Sequence, residues 1–322
     1  MMMVSRRTVL FGASAVTLLP VTAWPQDQSL KIVYPFSVGN AGEAVVRLIA
    51  DRLQRDLRRP VIVENKSGAS GRIGARVVKD APADGSVLLF AVSSQMTIQP
   101  HLATDIGYDP FADFAPVSQV MTFDQAVAVP ADSSIRSLHD LIDWYRANPK
   151  QAVYGSPGIG TGPHLVALEL ARALGLHLEH VAYRGTAAAL PDLFAGRIPA
   201  FFTGSAELME HHAGGKVRIL ATGGARRSPL LPDVPTFRET SADIEATSWY
   251  AMYVPARTPA EAVKRLEKEI VAAVNDPKIS ARIQAMGFRP TGTTAEELRQ
   301  IQRAEFDHWA DVVRTSGLKV GQ

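Results

Sequence analysis

The chain of 322 residues contains no cysteine. That absence excludes thiol catalysis, zinc sites with cysteine ligands, iron–sulfur clusters and disulfide bonds. The chain also lacks an excess of charge: 34 basic residues stand against 32 acidic ones, and two of the basic residues, Arg6 and Arg7, lie in an N-terminal segment without acids. A neutral remainder gives no electrostatic reason to expect nucleic acid or an anionic membrane as a partner.

Signatures of common catalytic and cofactor sites are missing as well. The sequence has no G-x-x-x-x-G-K-[ST], no G-x-S-x-G and no H-E-x-x-H. Its glycines at 158, 160 and 162 are followed by Pro163, which differs from the dinucleotide-binding fingerprint. No cofactor and no metal is therefore expected.

The eight histidines show no spacing typical of a metal site. Glu207 and His211 stand four residues apart on a predicted helix, but two ligands without a third favour a solvated helix face. His177 and His180 lie near a predicted strand, where a surface or edge position is the favoured interpretation.

The first 26 residues are typical of a secretory signal peptide. Arg6 and Arg7 supply positive charge, and the mostly apolar run at 9–21 is too short to span a bilayer core of about 30 Å. Small residues favour cleavage after Ala23, with Gln26 as a second position. We expect an exported protein, the alternative being a cytoplasmic protein with an apolar N-terminus.

The segment at 5–10 resembles a twin-arginine export motif. Val9 stands at the usual phenylalanine position, which leaves Sec export open as the route.

The remaining chain has the length of about two domains and alternates short β-rich runs with helical periods. Residues 30–92 predict the order βαβαβ, which is typical of a parallel sheet with right-handed crossovers. A similar order starts again with a helix at 138–147, for which Ser137 and Asp140 form a predicted capping box. The C-terminal part from residue 259 is helical.

The predicted units are joined by two apolar, strand-like crossings near 126–130 and 248–255. We therefore expect lobe 1 to comprise residues 27–127 and 248–322, and lobe 2 to comprise residues 128–247. Two extended crossings predict a hinge that bends about a defined axis.

Two glycine-bearing loops lie where a parallel sheet would bind a ligand. The loops at 35–43 and 155–164 each connect the carboxyl end of a predicted strand to a helix N-terminus. Free N–H groups and the helix dipole favour an anion there, although a tight strand–helix connection is the alternative for each loop alone.

The sequence resembles the Bug-type periplasmic substrate-binding proteins of tripartite tricarboxylate transport systems over roughly residues 30–320. The motifs behind this resemblance are P-F-S-V-G at 35–39, V-E-N-K-S-G-A-S-G at 63–71, Q-P-H-L at 99–102, Y-D-P-F-A-D-F-A-P-V at 108–117, Y-G-S-P-G-I-G-T-G-P-H-L at 154–165, Y-R-G at 183–185, L-P-D-V-P-T at 231–236 and S-W-Y at 248–250.

The resemblance implies an α/β fold of the two-lobed periplasmic binding protein type (type II-like). Each lobe would be a mainly parallel sheet flanked by helices, with a two-strand hinge, and the glycine loops would hold a ligand carboxylate. The implied ligand-binding residues are Phe36, Ser37, Val38, Gly39, Asn40, Ser93, Ser94, Gln95, Ser156, Gly158, Gly160, Thr161, Tyr183, Arg184 and Thr203.

Several of these positions have a second interpretation. Arg184 could clamp a carboxylate with its planar fork or pair with another group to orient its loop. His164 is expected to pack behind the second loop, and Trp249 and Tyr250 are expected to pack at the hinge.

The chain departs from its relatives at two acidic positions. Glu43 stands where the family often has an aspartate at the end of the first loop, and Thr203 replaces an aspartate that relatives often carry after a strand. Losing an acid near the cleft would make the pocket less suited to an amino group and more open to a plain or aromatic carboxylate.

The predicted function is that of a non-catalytic periplasmic receptor that captures a mono-, di- or tricarboxylate, closes, and delivers it to membrane transporter subunits. A monomer is expected. The alternatives are a sensor that presents its ligand to a signalling receptor, and an exported hydrolase or lyase that uses the same cleft.

Overall fold

The computed structural model describes residues 29–102, 105–240 and 243–316. The predicted signal peptide at residues 1–26 lies outside the described residues. In the part of the chain that is described, no helix is both long enough and apolar enough to cross a membrane.

The first unit has the predicted βαβαβ order. Its elements are β1 (Leu30–Tyr34), α1 (Ala41–Leu57), β2 (Val61–Asn65), α2 (Arg72–Lys79) and β3 (Val87–Val92). β1 pairs in parallel with both β2 and β3. Val45, Ile49 and Leu53 of α1 recur at helical spacing and are buried against the sheet, because helices cover both faces of a parallel sheet.

Two short helices and a long strand follow, namely α3 (Ser93–Thr97), α4 (Gln99–Leu102) and β4 (Phe114–Pro130). The sequence predicts only the end of β4, near 126–130, as strand-like. The first part of β4 contains Pro116, and the pairing register shifts between Pro116 and Ser118. Such a bulge accommodates proline, which has no N–H for the sheet.

The second unit repeats the parallel arrangement. Its elements are α5 (Leu138–Ala147), β5 (Val153–Ser156), α6 (Gly162–Ala173), β6 (Glu179–Ala182), α7 (Thr186–Phe194), β7 (Phe201–Gly204), α8 (Met209–Ala213) and β8 (Val217–Thr222). β5 pairs in parallel with β6 and β7. The capping box of α5 is confirmed, because Ser137 Oγ accepts from the Asp140 N–H and Asp140 accepts from the Ser137 N–H.

Two predictions in the second unit are wrong in position. The strand expected at 198–202 is β7, so that Thr203 lies inside a strand and not after it. The helix expected at 207–212 starts later, because Ser205–Glu207 forms a 3-10 turn in which the Leu208 N–H bonds to the Ser205 carbonyl at 3.0 Å.

The chain then returns to the first sheet. The remaining elements are α9 (Phe237–Thr240), β9 (Thr247–Pro255), α10 (Ala260–Asn275), α11 (Pro277–Ala285), β10 (Arg289–Pro290) and α12 (Ala295–Ser316). β9 lies antiparallel between β3 and β4, and the end of β4 pairs antiparallel with β7 and β8. The strand order β2-β1-β3-β9-β4-β7-β5-β6 is therefore mixed: antiparallel crossing strands complete the parallel strands of each unit.

We call the elements around β1–β3 lobe 1 and those around β5–β8 lobe 2, with β4 shared by both. Each lobe has its own hydrophobic core, built on α1 and α10 in lobe 1 and on α5 and α6 in lobe 2. The residue bounds expected for the two lobes stay a prediction.

Candidate functional site

A cavity of about 760 Å³ lies between the two lobes. The loops that follow β1, β5 and β6 contribute to its wall, together with the start of α3 after β3. The carboxyl ends of parallel strands are the usual position for a ligand in such sheets. Much of the wall is apolar, with side chains from both lobes: Phe36, Ile73, Leu102, Phe123, Ile159 and Phe288.

Ten of the fifteen predicted site residues line this cavity. They are Phe36, Ser37, Val38, Asn40, Ser94, Gly158, Thr161, Tyr183, Arg184 and Thr203. The structure thus brings both glycine loops to one cavity, while their contact with a ligand stays a prediction.

The other five do not line the cavity, and their contact with a ligand also stays a prediction: Gly39, Ser93, Gln95, Ser156 and Gly160. Their polar groups bond within the protein. Ser93 Oγ lies 2.8 Å from the hydroxyl of Ser248, and Gln95 Nε2 donates to the Gly71 carbonyl at 2.8 Å. Buried Ser93 and Gln95 support the wall from behind.

Ser156 and Gly160 bond to a stacked pair of histidines. The rings of His164 and His180 have centroids 3.9 Å apart. The Gly160 N–H donates to His164 Nδ1 at 3.1 Å, and Ser156 Oγ lies 2.7 Å from His180 Nε2. Burial, followed by the nearby His180, lowers the pKa of His164 to about 3, and burial lowers the pKa of His180 to about 4. Both rings are neutral at pH 7.

His164 therefore packs behind the second loop, as expected. His180 lies in β6, the edge strand of the sheet, which confirms its expected surface or edge position. Its ring is partly buried because it fills the space between β5 and α6, where it stacks on both Tyr154 and His164.

The N-terminus of α1 faces the cavity, but its first N–H groups already have acceptors. Asn40 is the N-cap, and its Oδ1 accepts from the Glu43 N–H at 2.9 Å. The Ala41 N–H donates to the carboxylate of Glu207 at 3.4 Å, and the Gly42 N–H bonds to the same carboxylate. A side chain of lobe 2 thus occupies the anion position of a lobe 1 helix.

Glu207 was expected on a solvated helix face with His211, and that prediction is wrong. The 3-10 turn after β7 directs Glu207 into the cavity and across to α1. Burial raises the pKa of Glu207 to about 7, although the N–H groups of Ala41 and Gly42 lower it in part. His211 instead packs its ring against Phe194, with centroids 5.2 Å apart.

Two buried tyrosines enclose this corner of the cavity. A Cβ atom on Gly42 would lie 2.8 Å from Tyr34 Oη and 3.0 Å from Tyr250 Oη, so only glycine fits between them. Burial, and to a smaller extent the charge of Glu207, raises the pKa of both tyrosines. Tyr250 lines the cavity in addition to packing at the crossing, whereas Trp249 donates its indole N–H to Glu305.

In lobe 2, α6 and α7 both begin at the cavity without a side-chain cap. Gly162 of α6 and Thr186 and Ala187 of α7 belong to the wall. The first N–H groups of a helix have no acceptor within the helix, and together with the helix dipole they favour an anion. Thr203 lies beside α7, with its Oγ1 2.8 Å from that of Thr186.

Two glutamines that the sequence did not mark as site residues also line the cavity. Gln99 and Gln125 are only 4% and 2% exposed, and the Oε1 of each has no hydrogen-bond partner among the described residues. Gln99 is oriented by its Nε2, which donates to the Ser70 carbonyl at 2.8 Å. A buried acceptor without a partner is costly, so both oxygens suit a donor group on a ligand.

Three charged side chains line the cavity: Arg72 of lobe 1, Arg184 of lobe 2 and Glu207. Arg72 Nε donates to the Ala69 carbonyl at 3.1 Å. In residues 29–102, 105–240 and 243–316, neither arginine forms an ion pair with a carboxylate. With Glu207 ionised, the lining has a formal charge of +1.

The second glycine loop also touches lobe 1. Ser70 Oγ donates to the Ile159 carbonyl at 3.0 Å. Gly160 has a φ of 71°, in the left-handed region, and a Cβ there would overlap Leu102 Cδ1. The two lobes therefore meet closely at one end of the cavity.

Comparison with known proteins gives consistent matches over almost the whole chain. The family model described as TctC, tripartite tricarboxylate transporter family receptor, matches residues 45–318. The UPF0065 protein in the tcbD-tcbE intergenic region of Pseudomonas sp. (strain P51) is 30% identical over 326 residues, which cover 99% of this chain and 97% of that protein.

Solved structures agree with the sequence matches. The periplasmic binding protein BugD superposes with a TM-score of 0.85 at 28% identity, covering 91% of this chain and 98% of that one. The R. palustris protein Rpa4515, solved with adipate, superposes with a TM-score of 0.88 at 28% identity, covering 92% of this chain and 99% of that one. The two-lobed periplasmic binding protein fold expected from the sequence is thereby confirmed.

Proposed function

Because this chain belongs to the tripartite tricarboxylate transporter receptor family, we propose that it is a periplasmic receptor that binds a small organic carboxylate between its lobes and delivers it to a membrane transporter. The family is one of binding receptors, in agreement with the prediction that the chain is not an enzyme. The observation behind the proposal is the interlobe cavity, in which two uncapped helix N-termini and Arg184 lie along one wall.

The carboxylate of the ligand binds on the lobe 2 side of the cavity. The Gly162 N–H at the start of α6, where Pro163 has no N–H, and the N–H groups at the start of α7 supply donors with the favourable end of the helix dipole. Arg184 adds a guanidinium fork that matches the two oxygens of a carboxylate. Tyr183, Thr161 and Thr203 complete the polar surface of that wall.

The body of the ligand is largely apolar. Phe36 and Ile159 face it from two loops and Ile73 faces it from α2, and Phe123 and Phe288 also line the cavity. A few polar groups in a mainly apolar cavity are the usual arrangement of a small-molecule site. Gln99 Oε1 offers an acceptor for a hydroxyl or N–H group of the ligand.

Transport requires that the ligand favour the closed arrangement of the two lobes. Lobe 1 comprises residues 27–127 and 248–322, and lobe 2 comprises residues 128–247. A ligand that contacts both glycine loops does so only when the lobes are together, and it shifts the population toward that state. The closed monomer then presents one continuous surface to the transporter, whereas binding to a signalling receptor in a pull-down would support the sensor alternative.

A thermal-shift panel of mono-, di- and tricarboxylates, with neutral amides of the same carbon skeletons, tests the proposal. A true ligand stabilises the fold by about 2.7 kcal/mol at one hundred times its dissociation constant. Arg184→Gln should weaken binding at least tenfold, since a charged hydrogen bond contributes about 1.5–3 kcal/mol.

The matched control is Arg136→Gln, which removes the same charge from an exposed position of lobe 2 outside the cavity. It should leave affinity unchanged. A panel in which no carboxylate raises the melting temperature, or equal losses in both variants, would contradict the proposed site.

A further inference from the structure

We propose that Glu207 restricts the receptor to monocarboxylates, because its own carboxylate occupies the anion position at the N-terminus of α1. This inference rests on the proposed function and deepens it, since it assigns the number of acidic groups that the ligand carries. The sequence pattern predicts Glu207 on a solvated helix face, whereas the structure brings it into the cavity.

The donors of α1 are fully used within the protein. Ala41 and Gly42 give their N–H groups to Glu207, and Glu43 gives its N–H to the Asn40 side chain. One residue earlier in the loop, the Gly39 N–H donates to the carboxylate of Glu43 at 2.6 Å. No free first-turn donor of α1 remains for a carboxylate of the ligand.

The helix starts of lobe 2 differ from that of α1 in this respect. α6 and α7 have no side-chain cap, and Gly162, Thr186 and Ala187 face the cavity. Gln125, which is 2% exposed, places its Nε2 donor beside the start of α6, where a Cβ on Gly162 would be 2.9 Å from that atom. The open helix-start donors of the cavity thus lie on the lobe 2 side, whereas the anion position at the start of α1 in lobe 1 is filled.

The charge of the lining favours a single carboxylate on the ligand. Arg72 and Arg184 contribute two positive charges and ionised Glu207 one negative charge, which leaves +1 to be neutralised. A monocarboxylate balances that charge, whereas a dicarboxylate would leave an excess negative charge. Its second carboxylate would also approach Glu207 at the lobe 1 end, where two carboxylates cannot both ionise without a large penalty.

Glu207 is held in this position by close packing. The glycine at 42 leaves space for Tyr34 and Tyr250 beside the helix start, and the ring of Tyr250 stacks between Phe123 and Phe90. The residue preceding Glu207, Ala206, lies against Gly287. These contacts hold the turn that carries Glu207 against the start of α1.

Glu207→Gln tests the inference with acids that differ only in a second carboxylate. Hexanoate with adipate, and benzoate with terephthalate, are measured by calorimetry at pH 8, where Glu207 is ionised. The unchanged protein should bind each monoacid at least tenfold more tightly than its diacid. In E207Q the ratio should fall at least tenfold, because an amide no longer repels the second carboxylate.

Glu210→Gln is the matched control, because it removes the same charge three residues later from an exposed side chain outside the cavity. It should keep the monoacid preference. Glu207→Ala provides a second variant should the amide destabilise the fold, and it should move the ratio in the same direction.

Tighter binding of the diacids by the unchanged protein would overturn the inference while leaving the proposed function intact. An equal increase in affinity for monoacids and diacids in E207Q would also overturn it. Glu207 would then weaken the binding of every acid to the same extent and would not select by the number of carboxylates. Failure of every acid to bind any of the proteins would refute the proposed function and the inference together.

Discussion

Two glutamates near the start of α1 have pKa values that are shifted in opposite directions, because their surroundings differ. Glu43 loses some solvation, but the N–H of Gly39 and the guanidinium of Arg47 outweigh that loss and lower its pKa. Glu207 has no cationic partner in the described part of the chain, and two backbone N–H groups only partly offset the burial that raises its pKa to about 7. Identical side chains thus have different charges near neutral pH.

The raised pKa of Glu207 predicts a pH-dependent contribution to stability. A carboxyl with a higher pKa in the folded chain binds its proton more tightly there, so its contribution is fully present below about pH 4.5 and is lost as pH rises through 7. The stability difference between the unchanged protein and E207Q should fall over that range by no more than about 3 kcal/mol. Melting temperatures of both proteins from pH 4.5 to 8 measure it.

The comparison with E207Q is needed because buried histidines act in the opposite sense. His164 and His180 have lowered pKa values, so their contribution is present above about pH 6.5 and is lost as pH falls toward 4. That effect is common to both proteins and cancels in the difference. A difference that stays constant with pH would show that Glu207 is not the buried acid described here.

The sequence predicts the loop residues of the site better than the residues that come from elsewhere. Ser37, Asn40, Gly158 and Thr161 lie in glycine-bearing loops with a local signal. Glu207 and Gln125 lack one, because a turn after β7 and the crossing strand β4 place them. Their role depends on contacts between distant parts of the chain, which local spacing does not encode.

Among the elements, those with strong local signals were predicted best. β3 and α5 have the predicted bounds, since β3 is a continuous apolar run and α5 starts with a capping box. The first half of β4 was missed because Pro116 lies within it, and the bulges that accommodate this proline appear only in the pairing with β9.

The N-cap residue of α1 allows a prediction about the stability of that helix and about ligand binding. Asn40→Ala removes an acceptor of both the Glu43 N–H and the Tyr34 hydroxyl, and should cost about 0.5–2 kcal/mol of unfolding free energy. Because Asn40 also lines the cavity, ligand affinity should fall as well. Urea unfolding and calorimetry measure the two effects.

Ser137→Ala is the companion variant, since it removes the exposed N-cap of α5 in lobe 2, away from the cavity. It should lower stability by a similar amount and leave affinity unchanged. Equal effects of the two variants on affinity would show that the start of α1 has no special relation to the ligand.

For the whole molecule, the sharing of β4 between both sheets links the stability of the lobes. Residues 114–124 of β4 pair with β9, and residues 125–130 pair with β7 and β8, without a break in the strand. Melting of either sheet removes a partner of the other. We expect one calorimetric transition whose van't Hoff and calorimetric enthalpies agree, and two resolved transitions would show independent lobes.

The placement of Arg72 and Arg184 on opposite lobes of one cavity has a kinetic consequence. An approaching anion is attracted from both sides, and its capture should slow as ionic strength rises because added ions screen that attraction. Escape begins from a desolvated complex and should depend far less on salt. The receptor would therefore collect its cargo fastest in dilute surroundings, while retaining it equally long in saline ones.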